Sequence, residues 1–229
     1  MLQIADAIMA APIVVAHRGL HSVHPENSFA AFAAAWEAGI FWCECDVHAT
    51  ADGVPVVIHD ETLDRTTSKS GRVSETSYSA LKGIVPTLSE VIAAMPPDCG
   101  MIIEIKPSDN AKLVRRVVEE TEGCLRVIQS FDQSNVTWPT DANSPPAAIL
   151  IESAETLAQA INSDFTMVNV DQKLLDLPAI DELIQNGQKL GVWTVNTHDE
   201  IQRARRRRAW MLFTDEPLLA MRLCSGRSD

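Results

Sequence analysis

The sequence predicts a (β/α)₈ barrel, an α/β fold in which eight parallel strands alternate with helices around a closed sheet. Three observations indicate this fold class. The length of 229 residues is close to that of a typical barrel. Short runs rich in Val and Ile alternate with segments of helical spacing, and polar residues follow the ends of those runs. An open doubly wound sheet is the competing architecture, but no G-x-G-x-x-G follows the first strand, so nothing supports a dinucleotide site.

Eight apolar runs are predicted to be buried parallel strands, because each is short and most contain several β-branched residues. They are IVVA (13–16), FWCECDV (41–47), MIIEI (101–105), RVIQS (126–130), AAILI (147–151), TMVNV (166–170), GVWTV (191–195) and WMLFT (210–214). We expect residues 1–229 to form a single domain, with a small insertion at about residues 48–85.

Helical spacing between these runs predicts six helices, at residues 27–39, 88–95, 110–123, 152–162, 177–187 and 197–208. The expected N-caps are Asn27, Thr87, Asn110, Ser153 and Thr197. The link at 131–146 is predicted to be a loop with a short turn. The apolar stretch before the first strand has no Lys or Arg, so it indicates a short leading helix and not a signal peptide.

The insertion is predicted to begin with a β-hairpin. Asp52 and Gly53 form a turn signal between two alternating runs, so the second strand should continue above the barrel and return. The returning strand would carry His59 and Asp60 back over the barrel mouth. Residues 61–85 would then form a small polar segment.

Composition restricts the partners and the location. The net charge is −12, and a surface this acidic repels nucleic acid and anionic lipid, so an anionic substrate needs a locally positive or metal-filled pocket. No stretch is long enough to span a membrane, and we expect no stable membrane anchoring. The five cysteines are irregularly spaced, which indicates apolar fillers in a reducing compartment and predicts a cytoplasmic location. The sequence carries no signal for an oligomeric state.

Charged residues gather where the predicted strands end, which in this fold is where active sites lie. Glu44 and Asp46 are two residues apart and therefore face the same way on a strand, and Glu104 and Lys106 share that relationship. Three converging carboxylates would repel one another unless a cation held them. Hard oxygen ligands of this kind predict one Mg²⁺ or Ca²⁺ ion.

Two histidines are expected to approach the carboxylates from neighbouring loops. His17 and Arg18 follow the first strand, and His59 follows the hairpin. A divalent metal, two histidines, an Arg and a Lys together suit the cleavage of a phosphodiester. The cations neutralise the phosphate oxygens, one histidine takes a proton from the nucleophile, and the other protonates the leaving group.

Nine separated motifs then occur in an order and spacing that resemble the glycerophosphodiester phosphodiesterase family, from residue 13 to about 218. The motifs are HRG (17–19), PENS (25–28), ECDV (44–47), T-x-DG-x-PVV-x-HD (50–60), L-x-RTT (63–67), PTLSEV (86–91), EIK (104–106), WTVN (193–196) and TDEP (214–217). The resemblance implies a barrel with an insertion after the second strand. It also implies hydrolysis of glycerophosphodiesters to glycerol 3-phosphate and an alcohol.

The resemblance assigns roles to particular residues by motif. It implies that His17 and His59 are the acid/base pair and that Glu44, Asp46 and Glu104 are the metal ligands. It implies that Arg18 and Lys106 contact the phosphate and that Asn27 lies near the metal or the phosphate. It places Trp193 against the glycerol end of the substrate. Glu26 and Asp60 would have supporting roles, and His21, His24 and His48 have no motif role and are predicted to be loop or surface residues.

Several alternatives remain open at this point. In the family, the glycerol hydroxyl beside the phosphate can attack the phosphorus first and form a cyclic phosphate. A lyase on the same scaffold would stop at that product. A barrel that enolises a carbonyl with Mg²⁺ and Lys106 would not need two facing histidines. A binding protein would hold phosphodiesters without cutting them. The segment RRRRAWML and the short, Pro-rich 131–146 depart from the family pattern, which places the difference in the part expected to recognise the alcohol.

Overall fold

The computed structural model describes residues 11–106, 110–138 and 144–225. Within these residues one sheet has the strand order β1-β9-β8-β7-β6-β5-β4-β2-β3, and an additional β1–β2 pairing closes it. The strands are β1 (Ile13–Ala16), β2 (Trp42–Ala49), β3 (Pro55–Val57), β4 (Gly100–Ile105), β5 (Leu125–Ser130), β6 (Ala147–Ile151), β7 (Met167–Asp171), β8 (Lys189–Trp193) and β9 (Met211–Thr214). All strands except β3 pair in parallel, which confirms the predicted eight-stranded barrel.

Helices connect the strands and cover the outside of the barrel. They are α1 (Phe29–Glu37), α2 (Tyr78–Leu81), α3 (Leu88–Ala94), α4 (Ala111–Glu120), α5 (Ala154–Ile161), α6 (Ala179–Gln185), α7 (His198–Arg206) and α8 (Pro217–Cys224). The predicted N-caps at Thr87, Asn110, Ser153 and Thr197 are confirmed, since each side chain accepts a backbone N–H in its first turn. None of the described helices is long and apolar enough to cross a bilayer.

The predicted cap at Asn27 is wrong, because Ser28 caps α1 instead. Ser28 has the extended backbone of an N-cap, and its hydroxyl accepts from the Ala31 N–H. Asn27 has a φ of +55°, in the left-handed region, which turns its side chain inward to a buried position. Asn is a common N-cap residue, but here the Asn27 side chain donates to Asp46 at the barrel mouth instead of capping the helix.

One helix and one strand boundary also differ from the prediction. Helix α8 was not predicted; it begins at Pro217, whose missing N–H is harmless in a first turn, and it contacts β1, β9 and α7. Strand β8 begins two residues earlier than the predicted 191–195. Between β5 and β6 the described residues form a short 3₁₀ turn at Gln133–Asn135, as expected. The predicted leading helix lies largely outside the described residues.

The predicted hairpin is confirmed, and it fixes the position of His59. Strand β3 runs antiparallel to β2, with His48 opposite Val56, and the Ile58 N–H donates to the Asp46 carbonyl. The insertion was predicted to be polar, but it has a core of its own. Six apolar side chains are buried there: Val56, Ile58, Leu63, Val73, Leu81 and Val85. The burial of this core gives the segment that follows the hairpin a defined position.

The main core lies between the strands and the surrounding helices, and a second cluster fills the barrel interior. The interior cluster includes Val15, Ile102, Val127, Met211 and Phe213, all buried. Polar residues occupy the barrel toward the carboxyl ends of the strands, where Glu44 and Glu104 also lie. The fold therefore places an apolar floor beneath a polar mouth.

Candidate active site

The loop after β1 places a His-Arg pair at the barrel mouth by a tight turn. Gly19 has a φ of +82°, and a Cβ at this position would lie 2.7 Å from the backbone carbonyl carbon of Ala31. No residue with a side chain fits there without moving α1. Arg18 also has a left-handed backbone, with a φ of +57°. This strained backbone turns the Arg18 guanidinium and the His17 imidazole toward the barrel mouth.

The three carboxylates predicted to converge do so. Strands β2 and β4 are adjacent and in register, with Asp46 opposite Glu104, while Glu44 lies two residues before Asp46. One oxygen from each carboxylate lies within 4.8 Å of the others. The residues are 1%, 0% and 7% exposed for Glu44, Asp46 and Glu104, so almost no bulk water solvates these charges.

Two cationic side chains compensate part of this buried negative charge. Arg18 Nε lies 3.2 Å from Asp46 Oδ2. Lys106 Nζ lies 3.0 Å from Asp46 Oδ1 and 2.9 Å from Glu104 Oε1. Glu44 has no ion-pair partner among the described residues. Within the described part of the chain, its oxygens accept only from the Arg18 backbone N–H at 3.2 Å and from Gln129 Nε2 at 3.5 Å.

The uneven compensation separates the acidities of the three groups. Burial and the charges of Asp46 and Glu104 raise the pKa of Glu44 well above its usual range. Burial and Asp46 raise the pKa of Glu104 to about 7. Burial alone would also raise the pKa of Asp46, but the charges of Lys106 and Arg18 outweigh it and hold that pKa low. Asp46 therefore stays ionised, whereas ionisation of Glu44 and Glu104 is unfavourable without a further cation.

The carboxylate cluster fits a hard divalent cation. Asp46 Oδ1 and Glu104 Oε1 are buried and accept no well-aligned hydrogen bond, although Lys106 lies within ion-pair distance of both. Buried oxygens in that state are ready to accept a metal ion. The donor set is all oxygen, which suits Mg²⁺ or Ca²⁺ better than zinc. Glu44, Asp46 and Glu104 are the residues that could hold the ion.

Two hydrogen-bond relays orient these carboxylates, and only one of them contains a residue with a predicted role in the site. Asn27 Nδ2 donates to Asp46 Oδ2 at 2.8 Å, which accounts for the buried position of Asn27. Across the barrel interior, Asn169 Nδ2 donates to Gln129 Oε1 at 2.8 Å, and Gln129 Nε2 points to Glu44. The signal for the second relay was present, because amides on buried strands are unusual.

His59 is held at the mouth by a network within and beside the insertion. Its Nδ1 lies 2.7 Å from Asp60 Oδ1. Arg65 donates to Asp60 and also to Glu26, and Arg18 donates to Glu26 at 3.0 Å. Burial lowers the pKa of His59, although Asp46 and Asp60 act against that change. Glu26 and Asp60 therefore support the site through Arg65, a residue that the sequence analysis did not single out.

His17 is held by a partner at the other end of the chain. Its Nδ1 lies 2.6 Å from Asp215 Oδ1, and His21 Nε2 lies 2.9 Å from the same oxygen. Asn196 Nδ2 donates to the second carboxylate oxygen of Asp215 at 2.6 Å. The prediction that His21 is a loop or surface residue is therefore incomplete: it lies in a loop but is half-buried and hydrogen-bonded. The predicted role of His17 did not include Asp215.

Two cavities lie at the barrel mouth, and His59 and Lys106 border both. The first has a volume of about 200 Å³ and an apolar wall of Phe131, Leu150, Trp193 and Phe213. Trp193 is fixed there, because its Nε1 donates to the Asn169 carbonyl at 3.0 Å and its ring meets Phe131 edge to face. The second cavity has a volume of about 640 Å³ and is lined by His48, His59, Asp60, Glu61, Arg72, Ser74 and Lys106, none of them apolar.

The arrangement is suited to proton transfer beside an anion. His17 and His59 each have one ring nitrogen bonded to a carboxylate, so the other nitrogen is free to accept or donate a proton. Arg18 and Lys106 line the same cavity as the two histidines and supply positive charge there. The mouth is thus lined by two histidines and two cationic side chains, beside three carboxylates whose negative charge the two cations only partly compensate.

Comparison with known proteins agrees with this geometry. The model of the glycerophosphoryl diester phosphodiesterase family matches residues 17–219. A glycerophosphodiester phosphodiesterase of Caldanaerobacter subterraneus is 30% identical over 230 residues, which cover 90% of this chain and 94% of that protein.

Solved structures show the same fold. A glycerophosphodiester phosphodiesterase from Thermotoga maritima superposes with a TM-score of 0.80 at 27% identity, covering 93% of this chain and 98% of that one. A phosphodiesterase from Oleispira antarctica, solved in complex with the product sn-glycerol-3-phosphate, gives a TM-score of 0.82 at 24% identity, covering 94% of this chain and 98% of that one.

Proposed function

The chain belongs to the glycerophosphoryl diester phosphodiesterase family, and on that premise we propose that it hydrolyses glycerophosphodiesters to sn-glycerol 3-phosphate and an alcohol. We propose that hydrolysis depends on one divalent metal ion, Mg²⁺ or Ca²⁺, and on acid/base catalysis by His17 and His59. The observation that carries the proposal is the position of both histidines at one mouth beside three buried carboxylates and two cations.

The metal would be held by Glu44, Asp46 and Glu104. When bound, a divalent cation supplies charge neutralisation for the phosphate oxygens. The protein itself contributes Arg18 and Lys106, whose guanidinium and ammonium groups line the same cavity as both histidines. Asn27 donates to Asp46, so its proposed role is to orient this metal-ligating carboxylate and not to contact the phosphate.

One of the two histidines would accept a proton from the nucleophile, and the other would donate a proton to the leaving group. The hydrogen bonds to Asp215 and Asp60 would put the ring protons on the Nδ1 atoms, because an ionised carboxylate can only accept and the nitrogen that faces it must donate. Each Nε2 is then the reactive atom. One imidazole takes a proton from the attacking water or glycerol hydroxyl, and the other, as imidazolium, gives a proton to the oxygen of the departing alcohol. If the glycerol hydroxyl attacks first, water then opens the cyclic phosphate to glycerol 3-phosphate, with the two imidazoles exchanging roles.

The two cavities suggest how the substrate lies. We propose that the glycerol end occupies the small cavity against Trp193 and Phe131, whose rings accept the CH faces of a short polyol. The alcohol would then lie in the larger polar cavity, next to Glu61 and Arg72 of the insertion, and not in the second half of the barrel, where the departures from the family pattern predicted it. These two side chains pair at 2.8 Å, so the wall carries no unbalanced charge from them. Hydroxylated alcohols suit such a wall better than a quaternary ammonium, which prefers an aromatic cage.

The test is to follow glycerophosphocholine, glycerophosphoethanolamine and glycerophosphoglycerol by ³¹P NMR with Mg²⁺, Ca²⁺ or Mn²⁺. The proposal expects the monoester resonance of glycerol 3-phosphate. Accumulation of a cyclic phosphate as the end product would instead identify a lyase. Line broadening of the substrate without turnover, in protein shown to be folded, would identify a binding protein.

The substrate is proposed to be a small soluble phosphodiester, with no nucleic-acid partner. The cytoplasmic location and the organisation of the chain as a single domain stay predictions from the sequence. Fractionation of the cell followed by activity measurement would test the location.

A further inference from the structure

The loop between β1 and α1 contributes a second histidine to the carboxylate that holds His17. Asp215 Oδ1 is 2.6 Å from His17 Nδ1 and 2.9 Å from His21 Nε2. The two imidazole rings lie edge to face, with centroids 6.3 Å apart. All three side chains are partly buried, with exposed fractions of 19%, 24% and 30% for His17, His21 and Asp215. Since one oxygen serves both rings, the charge of one ring acts on the other.

We propose that His21 is a positioning residue for the proposed phosphodiesterase reaction: it shares Asp215 with His17 and thereby tunes how firmly His17 holds its proton. His21 does not line the cavities beside the three carboxylates. It therefore acts through Asp215 and not on the substrate. This inference rests on the proposed function, because it assigns His17 to proton transfer.

The charges around His21 favour its protonated form. The hydrogen bond to Asp215 raises the pKa of His21, burial opposes that change, Glu26 adds to it and Arg18 opposes it. Burial would raise the pKa of Asp215, but the hydrogen bonds from His17, His21 and Asn196 outweigh burial and hold that pKa low. Asp215 is thus a permanent anion that two imidazoles compete to neutralise.

The competition has a definite direction. A protonated His21 partly cancels the charge of Asp215, so the imidazolium form of His17 is stabilised less. Without His21, Asp215 Oδ1 is available to His17 alone, while Asn196 still donates to Oδ2. The charged and titratable groups that share the cavity with His17, which are Arg18, Glu44, His59, Glu104, Lys106 and Glu152, are unchanged, so His17 retains its proton to a higher pH. A unit charge at the ring separation of 6.3 Å corresponds to about half to one pH unit at an effective dielectric between about 40 and 80.

The experiment is a histidine titration by NMR on metal-free protein labelled at the ring carbons, with His17 assigned by its loss in His17→Ala. The variants are His21→Ala and His21→Gln, where Gln keeps a donor near the position of Nε2 without a charge. His24→Ala is the matched control, because His24 lies in the same loop and makes no hydrogen bond to Asp215. We expect the titration midpoint of His17 to rise by about half to one pH unit in both His21 variants and to stay in His24→Ala.

A second arm separates coupling from a general disturbance of the loop. In the Asp215→Asn background the shared anion is gone, so adding His21→Gln should shift the midpoint of His17 much less than it does in the native background. An unchanged midpoint in folded His21→Gln protein, or an equal shift in the Asp215→Asn background, would overturn the inference. Loss of turnover in His17→Ala tests the proposed function separately, since the titration needs no turnover.

Discussion

Asn27 and Asp46 form a reciprocal pair: Asn27 Nδ2 donates to Asp46 Oδ2 at 2.8 Å, and the Asp46 backbone N–H donates to Asn27 Oδ1 at 3.3 Å. The pair joins the loop after β1 to the middle of β2, and both residues are buried. It leaves Asp46 Oδ1 to face Lys106 and the proposed metal position. A side chain that looks like a helix cap in the sequence therefore orients a buried carboxylate.

The first prediction concerns this pair. Asn27→Gly keeps the backbone φ of +55° easily but removes both side-chain hydrogen bonds, so it should cost about 1–3 kcal/mol of unfolding free energy and weaken metal binding. Asn27→Ala should cost about a further 1 kcal/mol, because Ala is strained in the left-handed region. Urea unfolding and calorimetric metal titration measure the two effects. Equal stability of Asn27→Gly and the native chain would show that the pair contributes little.

The second prediction concerns the pH dependence of metal stabilisation. The pKa of Glu104 is raised from its ordinary 4.5 to about 7 and that of Glu44 is also raised, so the folded metal-free protein binds more protons at these groups than the unfolded chain. The contribution of Glu104 to stability is full below about pH 4.5 and is lost as the pH rises through about 7, and Glu44 acts in the same direction. A metal ion replaces those protons, so the increase in melting temperature on adding Mg²⁺ or Ca²⁺ should be larger at pH 8 than at pH 5.

Differential scanning fluorimetry with chelator and with excess metal measures this difference directly. Subtracting the melting temperature with chelator from that with metal at each pH reduces the contributions of other titrating groups, such as His48 and His59, whose pKa values burial lowers. Glu104→Gln supplies the control, since it should reduce the pH dependence along with the metal effect. A metal-induced shift that is the same at both pH values would contradict the assignment of the carboxylates.

The third prediction separates the proposed reaction from enolisation by metal and Lys106. His59→Ala should lower kcat/KM by about 100- to 10,000-fold if His59 transfers a proton. Asp60→Asn should cause a smaller loss, on the order of 10-fold, since it weakens one hydrogen bond to a charged group and leaves the imidazole present. Steady-state kinetics at several pH values measure both. A mild effect of His59→Ala would favour the enolising alternative.

The fourth prediction concerns the amide relay in the barrel interior. A Cβ on Gly191 would overlap Asn169 Oδ1, so Gly191→Ala must displace the side chain that donates to Gln129. Because Gln129 points to Glu44, metal affinity should fall by about 10- to 100-fold. Asn169→Ala alone should have a similar effect. In the double variant the methyl group no longer meets the amide, so the two changes should be far less than additive. Full additivity would mean that Gly191 acts through another contact.

The barrel and the meeting of the three carboxylates could be predicted from the sequence because both depend on local periodicity. Residues two apart on a strand face the same way, and parallel strands end at the same edge, so Glu44, Asp46 and Glu104 had to approach one another. The hairpin before His59 followed in the same way from its turn residues. These inferences need no knowledge of the packing between distant segments.

The remaining features depend on pairings that no local pattern encodes. Asp215 lies 198 residues from His17 and 194 from His21, and only closure of β1 against β9 brings them together. The core of the insertion was missed because its apolar residues are scattered among polar ones, without a strand or helix period. Helix α8 was missed for a related reason: its apolar residues cluster after Pro217 and show no clear amphipathic alternation.

The central claim is metal-dependent hydrolysis by two histidines beside three carboxylates, and the release of glycerol 3-phosphate tests it most directly. The protein would be treated with chelator and dialysed, and product release from a glycerophosphodiester measured before and after adding Mg²⁺, Ca²⁺ or Mn²⁺, in the native chain, His17→Ala, Glu44→Ala and the control His24→Ala. We expect product only with metal, in the native chain and the control. Equal release with and without metal, or undiminished release by folded His17→Ala protein, would contradict it.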